Sequence, residues 1–261
     1  DKKDKNINKI TNLYKRFECK KFILSYEESE ISKYYSNSFF ASLISFSNQF
    51  AFLCDNLPNC NFKKINETLM SDKRIVINKK IPDFQNYLVP GIGFGGSCFP
   101  KDVDGIKQVV GNKNIHNSLF KSILKVNDET INHGLKIINK HFRKKSKICI
   151  LGASFKENSD DTRKSRTLYI ANKLNKLKFD FDIVDPEVNK IGMYKCRPLD
   201  KRFISTYRNF ILMTKWDDFK ILYKINFKNK IKIIDFRNFF ELKKFKYNKI
   251  KLITIGNSSL S

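Results

Sequence analysis

The residues best suited to chemistry lie in one run, Gly91-Ile-Gly-Phe-Gly-Gly-Ser-Cys98-Phe-Pro-Lys-Asp102. Glycines let backbone N–H groups approach a neighbour closely and adopt positive φ. Pro100 suits the first turn of a helix, where a missing N–H is no loss. Cys98 is therefore expected at or just before a helix N-terminus, where the dipole and free N–H groups favour a thiolate. Lys101 adds a positive charge one turn away, and Asp102, at i+4 from Cys98, shares its helical face. A nucleophile flanked by a carboxylate and an ammonium is an arrangement for covalent catalysis. Taken singly, a cysteine beside glycines is ordinarily a small buried hydrophobe and a glycine run a turn. The weight lies in the whole string.

Two further groups stand out. Lys33 and Asn37, within Glu30-Ile-Ser-Lys33-Tyr-Tyr-Ser-Asn37-Ser-Phe-Phe-Ala41, are i,i+4 and share one helical face. By itself such a pair ordinarily marks a solvated face. Gly152-Ala-Ser-Phe155-Lys156, continuing through Asp160-Asp161-Thr-Arg163-Lys-Ser165, follows a predicted strand and opens a helix, a location that favours anions. It is not GxGxxG and does not carry the dinucleotide fingerprint. Thr214-Lys-Trp216-Asp-Asp-Phe219 and Asp235-Phe-Arg237-Asn238 follow later strands, and Trp216 and Phe219 read alone as packing residues.

The elements that must position these groups follow from periodicity. Helical spacing without proline or glycine predicts one long helix over residues 29–56, with Ser29 as N-cap and Pro58 beyond its end. Shorter helices are expected over 63–70 and 98–110, and a longer one over 117–142; 72–97 reads as loop. From Lys147 the pattern changes to apolar strands at 147–152, 179–184, 210–213, 230–235 and 249–254, with a helix over 164–177. Strands alternating with helices or long connections predict a parallel sheet. The fold class expected is α/β: a helical central domain over 29–143, then a Rossmann-like parallel-sheet domain over 146–256. Residues 1–28 hold a weak helix near 10–17 and one candidate edge strand over 21–24.

At 261 residues and 41% apolar, the chain can bury a real core in one large or two ordinary domains. No apolar run reaches the roughly 18 residues of a membrane span. Six scattered cysteines, without CxxC pairs, argue against a disulfide framework or a zinc site and for a reduced, cytoplasmic chain. The start at Asp1, rich in Lys, Asp and Asn, reads as the continuation of a longer sequence, not a signal peptide. Net charge is +25, from 51 basic and 26 acidic residues. Because the basic residues are spread along the chain without a nucleic-acid-binding motif, the charge is assigned to composition. Neither a specific nucleic acid nor a membrane is expected as partner.

Together, in order, these strings resemble the signatures of the UDP-glucose/GDP-mannose dehydrogenase family, and the likeness covers nearly the whole chain. The resemblance implies oxidation of a nucleotide-sugar alcohol to the acid, with NAD as cofactor and UDP-glucose or a relative as substrate. It implies that Cys98 captures an aldehyde, that Lys33 steadies an oxyanion, that Asn37 fixes the sugar, and that Asp102 positions or activates water. It assigns Lys101 and Arg163 to NAD. It assigns Arg74, Tyr87, Leu88, Val89, Pro90, Gly91, Gly95, Phe155, Lys156 and Arg237 to the nucleotide-sugar, Arg74 by reaching a neighbouring subunit. A homo-oligomer paired through the central helices is the implied assembly.

Two departures accompany the likeness. The family's N-terminal dinucleotide domain is represented by no more than a final helix and strand, within residues 1–28. The loop before Cys98 is longer than usual, which leaves the register of Lys79 to Asn86 open. A serine in place of histidine before the cysteine leans away from the N-acetylmannosamine branch. The rival reading from another class is a non-catalytic nucleotide-sugar-binding or oligomerisation module; a third is charge-driven RNA binding.

Overall fold

The structure is a computed structural model that describes residues 6–75, 82–247 and 249–257. Lys79, Lys80 and Ile81 of the long loop lie outside those residues. The chain builds α1 (Ile7–Leu13), α2 (Tyr26–Asp55), α3 (Phe62–Met70), α4 (Phe99–Asn112) and α5 (Ser118–His141) before its first strand. Then come β1 (Ile148–Leu151), α6 (Arg166–Lys176), β2 (Phe181–Val184), β3 (Lys190–Ile191), β4 (Tyr194–Arg197), α7 (Lys201–Ser205), β5 (Asn209–Leu212), β6 (Ile231–Asp235) and β7 (Ile250–Thr254). A mixed α/β fold with a helical first part and a mostly parallel sheet is what the periodicity predicted.

The sheet order is β3-β4-β2-β1-β5-β6-β7, with β3 alone antiparallel. All the other strands therefore start at one edge of the sheet, here the amino edge, and finish at the opposite carboxyl edge. Strand β1 is buried throughout, and alternation sends its side chains to two different cores. Ile148 and Ile150 join Ile170 and Leu174 of α6 and Ile137 and Ile138 of α5 on one face. Cys149 and Leu151 join Trp216, Phe219 and Leu222 on the other. The last turns of α5 thus belong to the core of the sheet, so helical and parallel parts share one apolar interior.

Several sequence expectations are corrected. The long helix is capped by Ser25, not Ser29: Ser25 Oγ accepts from Glu28 N at 3.1 Å and Glu28 Oε2 accepts from Ser25 N at 2.8 Å. That is a capping box, and the S-x-x-E spacing at 25–28 announces it. Lys21 to Leu24 form no strand, because no sheet edge lies beside them among the described residues. The β3–β4 hairpin was missed because its short strands carry Lys190, Lys195 and Arg197 where an apolar run was sought.

Helix α2 is the spine of the helical part. Its buried stripe is Ser38, Ala41, Ser45, Asn48, Ala51 and Asp55, small or polar side chains that let neighbours come close. Ser45 Oγ donates to Ile123 O of α5 at 3.1 Å, and Ser47 Oγ to Leu88 O at 2.9 Å. Asp55 Oδ2 lies 2.7 Å from Nε2 of buried His133, whose ring stacks on Phe52.

Arg166, at the start of α6, joins helices to sheet. Only 4% exposed, it donates from Nε to Ile92 O at 2.9 Å and from Nη2 to Asn127 O at 2.5 Å and Thr130 Oγ1 at 2.9 Å. Burial lowers its pKa to about 10, still well above neutrality, so it works as a cation. Replacing it tests the seam. Arg166→Met should lower unfolding stability by about 2–3 kcal/mol, the range for hydrogen bonds made by a buried charged group. Arg166→Lys should lose less. An unchanged urea midpoint for the methionine variant would remove this residue from the account.

Candidate active site

The glycine run threads between helices and sheet, held along its length by side chains from both. Asn48 Oδ1 accepts from Gly91 N at 2.8 Å, and Thr130 Oγ1 donates to Ile92 O at 2.8 Å. Asn127 accepts from Phe94 N at 2.7 Å and donates to Phe94 O at 3.2 Å. At Gly95 a Cβ would stand 2.4 Å from Lys164 O; at Gly96, with φ +77°, it would strike the Phe155 ring. Gly96 N in turn donates to Arg163 O at 3.0 Å. Glycine is required here because the loop that opens α6 lies directly against the backbone.

That path delivers Cys98 to the N-cap of α4, exposed to solvent. Pro100 occupies the first turn, as its fixed φ favours. Asp102 N bonds back to Cys98 O at 2.9 Å, so the carboxylate sits one turn below the thiol. Asp102 is 1% exposed. Asn37 Nδ2 of α2 donates to its Oδ2 at 2.5 Å, and Lys101 Nζ pairs with its Oδ1. Burial alone would raise the Asp102 pKa. The hydrogen bonds from Lys101 and Asn37, then the charges of Lys101 and Lys33, outweigh it and hold the carboxyl below its ordinary range. Asp102 is therefore an ionised anchor at neutral pH. Lys33 is exposed, one turn before Asn37 on α2, and its charge is the weakest of the influences on Asp102.

Lys101 and Arg163 flank the thiol. Each lies within electrostatic reach of Cys98, and each is paired with a carboxylate, Lys101 with Asp102 and Arg163 with Asp161 at 2.7 Å. Both remain largely exposed. Phe155 packs on Gly96, and Lys156 Nζ lies 5.7 Å from the Phe155 ring centre. Arg237, reached from β6, donates from Nε to Met213 O at 2.6 Å and from Nη1 to Gly93 O at 3.4 Å. Burial lowers its pKa to about 10. Two of its donors are thus spent on backbone, one on the segment after β5 and one on the run.

Tyr87 stacks on Phe40 at 4.3 Å, and its ring centre lies 6.3 Å from that of Phe99, the residue after Cys98. Other expected residues are not brought to Cys98. Leu88, Val89 and Pro90 line a separate cleft of about 880 Å³, with Phe62, Met70 and Phe240 on its other walls. Pro90 O accepts from Asn238 Nδ2 at 2.9 Å. Arg74 is 89% exposed and its guanidinium pairs with Asp72 at 2.6 Å, so within one chain it reaches none of these groups.

Sequence reasoning missed Asn127, Thr130 and Arg166, which with Asn48 hold the run in place. The available signal was polar residues on otherwise apolar helical faces, Asn127 and Thr130 lying i,i+3 on α5. It also missed Asp185, just after β2. Its Oδ2 accepts from Ala153 N at 2.6 Å and from Trp216 Nε1 at 3.2 Å, which fixes the loop after β1. Among the described residues, no cluster of His, Cys, Asp or Glu suits a metal ion.

Residues 27–129 match the central domain of the UDP-glucose/GDP-mannose dehydrogenase family, and residues 149–242 match its UDP binding domain. The chain is similar to a UDP-glucose 6-dehydrogenase of Bacillus subtilis, at 31% identity over 70% of this chain and 40% of that protein. It is similar to the UDP-glucose 6-dehydrogenase of Rickettsia conorii, at 27% identity over 95% of this chain and 59% of that one. It thus spans about half the length of the curated relatives it matches. Its fold is similar to that of a UDP-glucose dehydrogenase from Pyrobaculum islandicum, with a TM-score of 0.77, 23% identity, and coverage of 96% of this chain and 56% of that one. With both domain signatures matched in order and the thiol, carboxylate and asparagine assembled as described, the chain belongs to the UDP-glucose/GDP-mannose dehydrogenase family.

Proposed function

We propose that this chain supplies the thiol and the nucleotide-sugar cradle of an NAD-dependent nucleotide-sugar 6-dehydrogenase, most like those that oxidise UDP-glucose to UDP-glucuronate. The observation that carries the reading is the Asn37–Asp102–Lys101 network one turn below an exposed Cys98. Cys98 Sγ adds to the carbon of an aldehyde, and the resulting alkoxide takes up a proton to give a thiohemiacetal. Loss of the hydroxyl proton to solvent and of hydride from that carbon, which bound NAD would accept, leaves a thioester; water opens it to the acid and the free thiol. Lys33 and Asn37 steady the oxyanion and hold the sugar, because a fixed cation and a fixed donor are strongest where charge develops. Asp102, ionised and fully hydrogen-bonded, orients Asn37 and Lys101, and serves the water through them rather than as a strong base.

NAD supplies the hydride acceptor when bound. Lys101 and Arg163 suit one side of an anionic dinucleotide, since both are exposed cations beside Cys98. Gly91 to Gly96 spells GxGxxG, but among the described residues no strand leads into it, so it is not the strand–GxGxxG–helix unit that seats a dinucleotide pyrophosphate. Phe155, Lys156 and Arg237, with Gly91 and Gly95 of the run, face the nucleotide-sugar. Leu88, Val89 and Pro90 extend that cradle away from the thiol, and Tyr87 braces them from behind.

The assembly proposed is a dimer through α2. Tyr35, Phe39, Phe46, Phe50 and Leu53 are all exposed on it, at spacings of three, four and seven residues. A stripe of this kind marks an interface. Arg74 then has a role that a single chain does not offer, at the partner's substrate.

Three outcomes test this reading. In the protein with its dinucleotide-binding portion present, Cys98→Ser should abolish acid formation while substrate affinity stays near wild type. Full conversion of UDP-glucose to UDP-glucuronate by that variant would refute covalent capture. Residues 1–261 alone should bind UDP-glucose weakly by calorimetry and yield no NADH, because two exposed side-chain contacts cannot offset the entropy of ordering the cofactor. NADH absorbance from this chain alone would relocate the cofactor site. Phe46→Glu with Phe50→Glu should convert dimer to monomer in sedimentation equilibrium; a dimer that persists would place the interface elsewhere.

A further inference from the structure

The basic residues look scattered in sequence, but the topology gathers a group of them. Each parallel strand is entered from the amino edge, so the segments preceding them end side by side. The registers Ile148↔Phe181, Ile148↔Asn209, Asn209↔Lys232 and Ile231↔Ile250 bring the first residues of five strands level. At about 4.8 Å per strand, that row is roughly 20 Å wide. It carries Arg143-Lys-Lys145 before β1, Lys178 before β2, Arg208 before β5, Lys228 and Lys230 before β6, and Lys249 before β7, all exposed. None of these cations has a carboxylate partner among the described residues.

Acidic residues are almost missing from the same edge. The whole chain carries 51 basic to 26 acidic residues, whereas these five segments contribute only Asp180 and, one residue into β2, Asp182. Asp182 is already occupied by Lys147 at 3.0 Å, Arg197 at 3.2 Å and the Tyr207 hydroxyl. Cations at helix C-termini have a local reason in the dipole, which accounts for Lys178 after α6. It does not account for Lys228, Lys230 and Lys249, which follow no α-helix.

We propose that the amino edge of the sheet is a docking face for a bilayer surface bearing anionic lipid headgroups. The occupant is argued from charge and shape. The row of loop tips is level, and none of its cations lines the cleft of Leu88, Val89 and Pro90. No exposed large hydrophobic residue lies in these segments, so there is no stacking platform of the kind single-stranded nucleic acid uses. Lysine predominates, and it acts as a point charge without the planar fork that clasps base edges or phosphates in pairs. Mobile headgroups need neither fork nor platform, and each added cation near the surface strengthens attraction. Docked this way, the carboxyl edge, with Asp185, Arg237 and the glycine run, points away from the bilayer and stays open.

Co-sedimentation of residues 1–261 with lipid vesicles tests this. Vesicles of phosphatidylcholine with phosphatidylserine should bind roughly tenfold or more tightly than phosphatidylcholine alone at low ionic strength, and salt should weaken the difference. The variant K144E/K145E/K228E/K230E should lose that binding. K64E/K113E/K121E/K125E, with the same change of net charge elsewhere, should keep it. If the fourfold edge variant does not give a native melting curve, K144E/K145E alone should still lose most of the binding. Equal losses in edge and control variants, or no preference for phosphatidylserine, overturn the proposal. So does an edge variant that loses affinity for a DNA duplex while vesicle binding is untouched, since the face would then belong to nucleic acid.

Discussion

Everything at the candidate site depends on one close approach of backbone to backbone. At Gly95 the run from Gly91 to Ser97 passes so near Lys164 O that a single methyl group would collide with it. Because the contact is with a carbonyl and not with a flexible side chain, it cannot give way. Cys98 is thus placed by the sheet part of the molecule as much as by the helix it caps. The fixtures on either side are polar: buried Asn48 and Asn127 from the helical part, buried Arg166 of α6, and half-buried Arg237 after β6. A loop alone would leave its amide groups to water. Here the N–H groups of Gly91, Phe94 and Gly96 and the carbonyls of Ile92, Gly93 and Phe94 have protein partners, which steadies the approach to the nucleophile on a surface where loops are ordinarily mobile.

The electrostatics of Asp102 follow from the same arrangement. A carboxylate 1% exposed would ordinarily take up a proton. Two donors and two nearby cations prevent that, and the helix N-terminus adds in the same direction. Cys98 stands beside one ionised carboxylate and two cations, Lys101 and Arg163. Both cations are half committed to carboxylates of their own, so neither charge acts alone on the sulfur. The site is balanced, not strongly cationic, and a bound anionic ligand drawing on Lys101 or Arg163 would change that balance.

Much of this was legible in the sequence because it depends on local pattern. The glycine run, the proline after the thiol and the i+4 carboxylate each have a mechanism that acts within a few residues. Apolar strands with both faces buried announced themselves as continuous runs. What stayed hidden was long-range. Arg166 reads as one more cation after Ser165; its three partners lie 36 or more residues away. Tyr87 to Pro90 carried a recognisable string, but only the structure separates Tyr87, packed on Phe40, from the three residues that line a cleft. The N-cap lies four residues before the point where apolar spacing begins, at Ser25, because the S-x-x-E capping box and not the apolar stripe starts the helix.

The two kinds of cation also divide by physical suitability. Arginine is used where burial is deep. Its guanidinium is weakly hydrated and offers several fixed donors, so it can leave water and still satisfy carbonyl oxygens from three segments. Burial draws Arg166 and Arg237 down to about 10, a large shift that nonetheless leaves both charged at neutrality. A lysine there would risk losing its proton and, with it, one donor and the charge. On the amino edge of the sheet the requirement is reversed. Hydrated point charges on long flexible stems need no partner geometry, and lysine is found. One chain with a large excess of positive charge thus uses it in two ways: inside, to bind its own backbone and hold the thiol in place; outside, as a field concentrated by strand order.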